Sequence, residues 1–542
     1  MPSTIDSWPL RSDPALVVVR PRAIRVRRST LPPIPAKYEA YLSCNSTRAS
    51  SEVGDDEHID GTEGESEPSP DEMQYPTGWP FAFIVIALVL GIFLVSLDMT
   101  IVATAIPKIT DEFAGLGDVA WYGSAFFMTV GGFQSTWGKI FKYFPLKLSF
   151  LLAILIFELG SLICGVAPDS TTLIVGRAIA GVGAAGIGSG AYTIVAFTAP
   201  PKKRPVFTGI IGTAYGTAAV VGPLLGGAFA DHVTWRWCFY VNLPIGALSA
   251  FIIFFFFRPP PGARPVQATM REKMLQMDLL GTVLVMAGVI SFILALQYGG
   301  QTMEWKKPTV IGLLAGFVGI FITFGVWEWV NGERSMIVPR LFLHRDVWVS
   351  SVFTFLFAGG YFVVIYYLPI YFQSIDGASP TQSGVRNLPL ILSVTVSTII
   401  AGAAVSATGV AAPVAVGGAG VATIAAGLLY TLDSGTPKGK WIGFQILGGT
   451  AWGAAFQVPI IIGQATAQPD DISSVTAIIL FFQTGGGAFW VSAAQSAFVN
   501  TMVGIKTALV IAVGAAGAGF VVSLFGNFRR LNTEAAKTSG AA

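Results

Sequence analysis

From Trp79 onward the chain is a succession of apolar segments of about 20 residues, separated by short loops. A helix of that length, rising 1.5 Å per residue, crosses a hydrocarbon core of about 30 Å. Barrel strands would alternate in hydropathy along their length, so the spans are helices. Composition agrees, because only 12% of residues are charged against 53% hydrophobic, with a mean hydropathy of +0.65. A soluble domain carries roughly 25% charged residues. The fold class is therefore an all-α polytopic membrane protein. Spans are expected near residues 80–104, 119–137, 148–167, 171–197, 206–229, 238–257, 278–298, 309–330, 347–372, 386–407, 411–431, 441–463, 474–497 and 507–527.

Loop charge predicts orientation, since Lys and Arg accumulate on the cytoplasmic side. The loop after the second span carries Lys139, Lys142 and Lys147, that after the fourth Lys202, Lys203 and Arg204. Arg258, Arg264, Arg271 and Lys273 follow the sixth, and Arg334, Arg340 and Arg345 the eighth. Intervening loops are poorer, so both termini are expected in the cytosol. The bias fades in the last third, where SATGVAAP has no charge and Lys438 and Lys440 fall on the expected outer side.

Residues 1–77 read differently. A basic stretch with Arg20, Arg22, Arg25, Arg27 and Arg28 precedes the acidic SSEVGDDEHIDGTEGESEPSPDE. Such a segment has too few apolar residues to offset the entropy of ordering it, so a disordered cytosolic tail is expected. PALVVVR is too short for the apolar part of a signal peptide. The sequon at Asn45 is expected to stay unmodified on the cytosolic side. A net charge of +2 gives no reason to expect nucleic acid. Three cysteines (Cys44, Cys164, Cys238) and three histidines (His58, His232, His344) are scattered without the spacing of a disulfide framework or metal site, so no metal is expected. The match to GxGxxG at Gly181, Gly183 and Gly186 lies inside a span, not after a strand, and reads as helix packing. No Walker-type G-x-x-x-x-G-K-[ST] is present.

Four stretches then narrow the class: LDMTIVATAIP from Leu97, LIVGRAIAGVGAAGIGSGAY at 173–192, GTAYGTAAVVGPLLGGAFAD at 212–231 and WRWCFYVNLPIG at 235–246. Together they resemble the major facilitator superfamily, and more narrowly its fourteen-spanner drug:proton antiporter branch. YYLPIYFQSIDGASPTQSGVRNLPLIL at 366–392 is similar to fungal members that export toxins and secondary metabolites. The resemblance covers roughly 78–528 and implies a major facilitator fold: two six-helix bundles at 78–258 and 346–528. Residues 259–345 would hold a cytosolic linker plus an inserted helix pair peripheral to the pathway, and 529–542 a cytosolic tail.

The physics of single residues gives candidate sites. Asp98 and Arg177 are expected at one depth, each about six residues, or about 9 Å, from the same surface. Charges at bilayer depth are costly and face a bundle interior with a partner. The resemblance implies that these positions exchange protons, the alternative being a static pair that fixes packing. Glu158 in the third span is a second protonatable candidate, or else a carboxyl kept neutral by burial. Gly216, Gly222, Pro223, Gly226 and Gly227 match the pattern that marks antiporters in the family. Small residues at four-residue spacing let helices approach, and Pro223 favours a kink. Glu328, between Trp327 and Trp329, is expected to reach the headgroups. In the loop from Gly138, Lys142 stands where the superfamily has a gate-latching acid, so a latch there needs another partner.

Cargo is expected near the midplane between the bundles, as the resemblance implies. Candidate lining residues are polar or aromatic without charge: Tyr361, Tyr366, Tyr367, Gln445, Gln457 and Gln483. Such a surface suits a hydrophobic or amphiphilic small molecule. The expected function is a secondary active transporter, a proton-coupled antiporter that is not an enzyme and needs no cofactor. A monomer in the lipid bilayer of the plasma membrane is expected, with vacuole or transport vesicle as alternatives. An importer of the same fold, for siderophores or basic amino acids, and a non-transporting sensor on the scaffold remain open.

Overall fold

A computed structural model describes residues 75–76, 78–113, 118–300, 302–500, 504–527 and 531. The expected tails lie outside the described residues but for Tyr75, Pro76 and Leu531, as do Asn45, Cys44 and His58. The described residues all belong to one compact unit within Pro68–Ala542.

In lipid every backbone N–H and C=O must find a partner within the protein, which leaves helices as the answer for continuous apolar runs. Fourteen membrane-length helices form among the described residues. They are α1 Trp79–Phe113, α2 Val119–Tyr143, α3 Leu146–Gly165, α4 Ser170–Thr198 and α5 Arg204–His232. Next come α6 Trp237–Phe256, α7 Leu279–Tyr298, α8 Pro308–Asn331 and α9 Arg345–Ser374. The last five are α10 Leu388–Thr408, α11 Ala412–Tyr430, α12 Lys438–Thr466, α13 Ile472–Asn500 and α14 Gly504–Ser523. Thirteen are long and apolar enough to cross a membrane. The exception, α2, has the length but carries Thr129, Gln134, Ser135, Thr136 and Lys139, all buried against its neighbours. Helix α1 runs nine residues past its expected end at 104.

Helices α1 to α6 pack mainly on one another, as do α9 to α14. The two groups meet along two seams, α5 on α10 and α2 on α13, and the pair α7–α8 lies against α2 and α13. Close approach comes from small residues. A Cβ on Gly183 would collide with the backbone of Phe157 and Ala153 in α3, and one on Gly453 with Val394 in α10. Large apolar side chains turn outward instead: Leu148, Leu152, Leu155, Leu159 and Leu162 form one exposed stripe along α3, the surface lipid would cover. Helix α8 is the most exposed span, with Ile322, Val326 and Trp329 all facing outward.

Glu328 departs from expectation. It is buried, and its Oε2 accepts from the backbone N–H of Ile337 at 2.6 Å. The chain beyond α8 folds back beneath the helix and offers an N–H, which replaces the headgroup water that a snorkelling carboxylate would seek.

Gly183→Val is expected to destabilise the protein by roughly 1–3 kcal/mol through overpacking at α3. Gly188→Ala, where the nearest atom to a new Cβ is 3.6 Å away, is the control expected to be near neutral. Thermal unfolding of both variants in detergent checks the contrast, and equal midpoints would refute the packing account.

Candidate functional site

Asp98 sits on α1 and Arg177 on α4, with side chains only 0% and 1% exposed, and the two form an ion pair. Their remaining hydrogen-bonding capacity is largely taken up. Arg177 Nε donates to the Tyr122 carbonyl of α2 at 2.8 Å, and its guanidinium lies 4.4 Å from the Phe126 ring centroid. Asn242 Nδ2 on α6 donates to Asp98 Oδ1 at 3.3 Å and also reaches Ser161 Oγ on α3 at 3.2 Å. Five of the six helices of this bundle thus converge on one pair of charges. The sequence pointed to Asp98 and Arg177; Asn242 it did not, although Asn in the apolar run after WRWCFYV was a signal.

Glu158 lies one turn from Ser161, and both its oxygens are buried without a hydrogen-bond partner. A Cβ on Gly246 would overlap its carboxylate. Gly246 is one turn from Asn242, so α3 and α6 share a polar seam of two steps, Asn242–Ser161 and Gly246–Glu158. The structure brings Glu158 to the flank of the Asp98 site, without a direct contact to Asp98 or Arg177.

The five positions in the Gly/Pro stretch of α5 separate. Gly222 and Gly226 let Thr100 and Thr104 of α1 press against α5, and Thr100 Oγ1 donates to the Ala218 carbonyl at 3.2 Å. Gly216 faces Thr395 of α10 across the seam between bundles. Pro223 is exposed, and Gly227 has no neighbour within 4 Å of a would-be Cβ.

The expected cargo residues also divide. Helix α12 is interrupted at Gln457, because Pro459 cannot donate to the helix before it. Around the break, the Tyr361 ring stands 5.3 Å from Phe456 and 6.1 Å from Trp452, and Gln483 Nε2 donates to the Phe456 carbonyl at 3.4 Å. Gln457 faces Gly212 of α5, and its Oε1 is buried without a partner, as is Trp452 Nε1. Tyr361, Gln457 and Gln483 therefore gather in one aromatic and amide cluster, buried but for the half-buried Phe456, which with Trp452 sequence reasoning missed. The other three lie elsewhere. Tyr366 is 53% exposed, Tyr367 Oη donates to Gln495 Oε1 at 2.8 Å, and Gln445 caps the start of α10 by accepting from Leu390 N–H at 3.3 Å. Missed as well was Gln464, which donates to the Tyr192 carbonyl of α4 at 3.2 Å and ties α12 to the first bundle.

The family profile described as Major Facilitator Superfamily matches residues 88–491. The MFS-type transporter grgE of a Penicillium species is 57% identical over 438 residues, covering 81% of this chain and 78% of that protein. The MFS-type transporter thnB of Trichoderma harzianum is 54% identical, with 83% and 79% covered. The MFS-type efflux pump MFS1 of Trichophyton rubrum is 44% identical, with 82% and 84% covered. Among solved structures, the proton:xylose symporter XylE shares the fold with a TM-score of 0.61 at 13% identity, covering 84% of this chain and 99% of that one. The human organic anion transporter MFSD10 does so with a TM-score of 0.58 at 15% identity, covering 82% and 100%.

Removing Arg177 alone leaves a carboxylate buried without its counter-charge, so Arg177→Ala is expected to cost about 3–5 kcal/mol. Neutralising both partners, Asp98→Asn with Arg177→Gln, is expected to recover most of that loss. Unfolding midpoints of the single and double variants test this, and a double variant no more stable than Arg177→Ala would contradict it.

Proposed function

The chain belongs to the Major Facilitator Superfamily, and we propose that it is a proton-coupled antiporter exporting hydrophobic or amphiphilic organic compounds, secondary metabolites or xenobiotics in class. The observation that carries this reading is the ion pair of Asp98 and Arg177 inside the first bundle. Taking two charges out of water costs several kcal/mol per ion, and well-packed apolar residues are often at least as stable. A pair kept at such cost has a use beyond packing.

The use proposed is proton exchange. A proton on Asp98 removes the charge that holds Arg177, while the Tyr122 carbonyl and the Phe126 ring still retain the guanidinium. The packing of α1 against α4 and α6 then changes, and with it the seam that α1 controls through Thr100 and α5. Cargo at the cluster of Tyr361, Trp452, Phe456, Gln457 and Gln483 favours the other packing. Proton and cargo thereby oppose each other through differential affinity for two states. Glu158 on the polar seam is the candidate way station for the proton. Gly216, Gly222 and Gly226 keep α5 close to α1 and α10 in both states. Apolar rings with a few amide groups suit a neutral or amphiphilic molecule.

The same reading places the loop after α2 in the cytosol with both termini, and the monomer in the plasma membrane. An importer of cationic cargo receives less support: the acids described on and between α9 and α14, Asp346, Asp376, Asp433, Asp470 and Asp471, lie at helix ends or in loops. The efflux pump named among the relatives supports outward movement.

Sealed vesicles of defined orientation with an imposed pH gradient provide the test. Wild type is expected to move members of a panel of hydrophobic metabolites and dyes uphill, and Asp98→Asn to lose gradient-driven transport by at least about tenfold, a proton-transfer-sized effect. Transport by a well-inserted Asp98→Asn at the wild-type rate would overturn proton coupling through this residue.

A further inference from the structure

The end of the molecule where α2 gives way to α3 is shut in this structure. Gly138 of α2 rides directly on Ala477 and the Ser473 carbonyl of α13, and Gly402 of α10 presses on the Pro205 carbonyl of α5. Charged side chains cross this closed end. Lys142 of α2 meets Asp471, at the foot of α13, at 2.7 Å. Asp471 takes its second bond on Oδ2 from Arg340 at 3.0 Å, and Arg340 also holds Glu333 at 2.8 Å. Asp471 is 7% exposed, so it is the sheltered centre of the cluster.

Arg340 belongs to neither bundle. It lies in the segment 332–344 that links α8 to α9, and that segment is held by contacts with α2, α8 and α13. Its Phe342 stacks on Phe482 of α13, with centroids 5.4 Å apart. Val338 and Leu341 are buried in a core shared by Phe141 of α2 and by Val475 and Ile478 of α13. On the α2 side, Lys139 Nζ donates to the Glu333 carbonyl at 2.6 Å and to Gln276 Oε1 at 3.0 Å. The far end is anchored by Asp278, held in a left-handed backbone conformation at φ 44°. Its carboxylate accepts from Trp327 of α8 at 2.8 Å and from the Met336 N–H at 2.8 Å. A non-glycine residue in that conformation is costly and persists where surrounding contacts over-determine it.

We infer that the segment 332–344, fixed by the α7–α8 pair, is a strap that locks this end of the transporter closed, with Asp471 as the hub that Lys142 and Arg340 grip from two directions. The inserted pair thereby anchors the strap that bridges α2 and α13. The polarity is that of a base on α2 and an acid on α13, so Lys142 acts as one jaw of the lock. Opening this end requires Asp471 to leave both cations and Phe482 to leave Phe342. The lock rests on membership of the transporter family and is independent of proton coupling at Asp98.

Spin labels on the exposed positions Lys202 and Thr408, one on each bundle at this end, report its opening in the full-length protein in lipid nanodiscs. Arg340→Ala and Lys142→Ala are each expected to raise the open-to-closed ratio about fivefold, the upper range for one ion pair near a surface. The double variant is expected to match Asp471→Asn, because removing the hub removes both grips. Arg340→Lys, which keeps the charge but not the fork that reaches Glu333 and Asp471 together, is expected to open less than Arg340→Ala and more than wild type. A wild-type distance distribution for Arg340→Ala would overturn the strap, whatever Lys142→Ala does. So would an Asp471→Asn that keeps the wild-type distance distribution, since the hub would then hold nothing.

Discussion

Two opposite charges with almost no access to water, Asp98 and Arg177, set the terms for the first bundle. A carboxylate or guanidinium at this depth has no solvent to turn to, so each partner and each residual hydrogen bond must come from protein. Tyr122, Phe126, Ser161 and Asn242 supply them from α2, α3 and α6. The packing of α1 and α4 is thereby conditional on a charge state. A proton is the smallest ligand able to change that state, and the bundle is built so that the change reaches several helices at once.

The second bundle carries no comparable pair in its described interior. Its feature is the interrupted α12, where Pro459 breaks the hydrogen-bond ladder and leaves Gln457 facing α5 beside Tyr361, Trp452 and Phe456. Charge is thus concentrated in one bundle and an aromatic and amide cluster in the other. Glycines of both bundles bring the seams into close contact, with Gly209 and Gly216 against α10 and Gly138 against α13, while Gln464 reaches across to the Tyr192 carbonyl. Where long charged side chains do cross, at Lys142, Arg340 and Asp471, they cross at one end.

How much of this the sequence disclosed follows from the range of the interactions involved. Apolar runs of membrane length fixed the number and order of helices, because that signal is local and strong. Helix α2 was legible over 119–137, but its last turns, with Lys139 and Lys142, look like loop because lysine signals a membrane boundary. The helix instead runs on to Tyr143 and buries Lys139. Asp98 and Arg177 stood out since charge is rare in such runs. The partner of Lys142 was not legible: Asp471 is 329 residues away, and only the fold brings them together. Glu328 was misjudged for a similar reason, since the N–H groups that receive it come from a segment whose return path is not written locally. Tyr361, Tyr366 and Tyr367 looked alike in sequence, yet a helix turns by 100° per residue, and Tyr366 is half exposed while Tyr361 is buried against Phe456. Which face of an all-apolar helix points inward is decided by packing, and uniform hydropathy conceals it.

If cargo and proton compete through the state of Asp98, cargo binding must displace protons even with no gradient and no transport. A pH indicator in a weakly buffered detergent solution of the purified protein follows that displacement. Adding a bound cargo to wild type is expected to release protons in proportion to occupancy, whereas Asp98→Asn is expected to bind the cargo without release. Cargo binding with no proton release from wild type, or with equal release from Asp98→Asn, would contradict the competition.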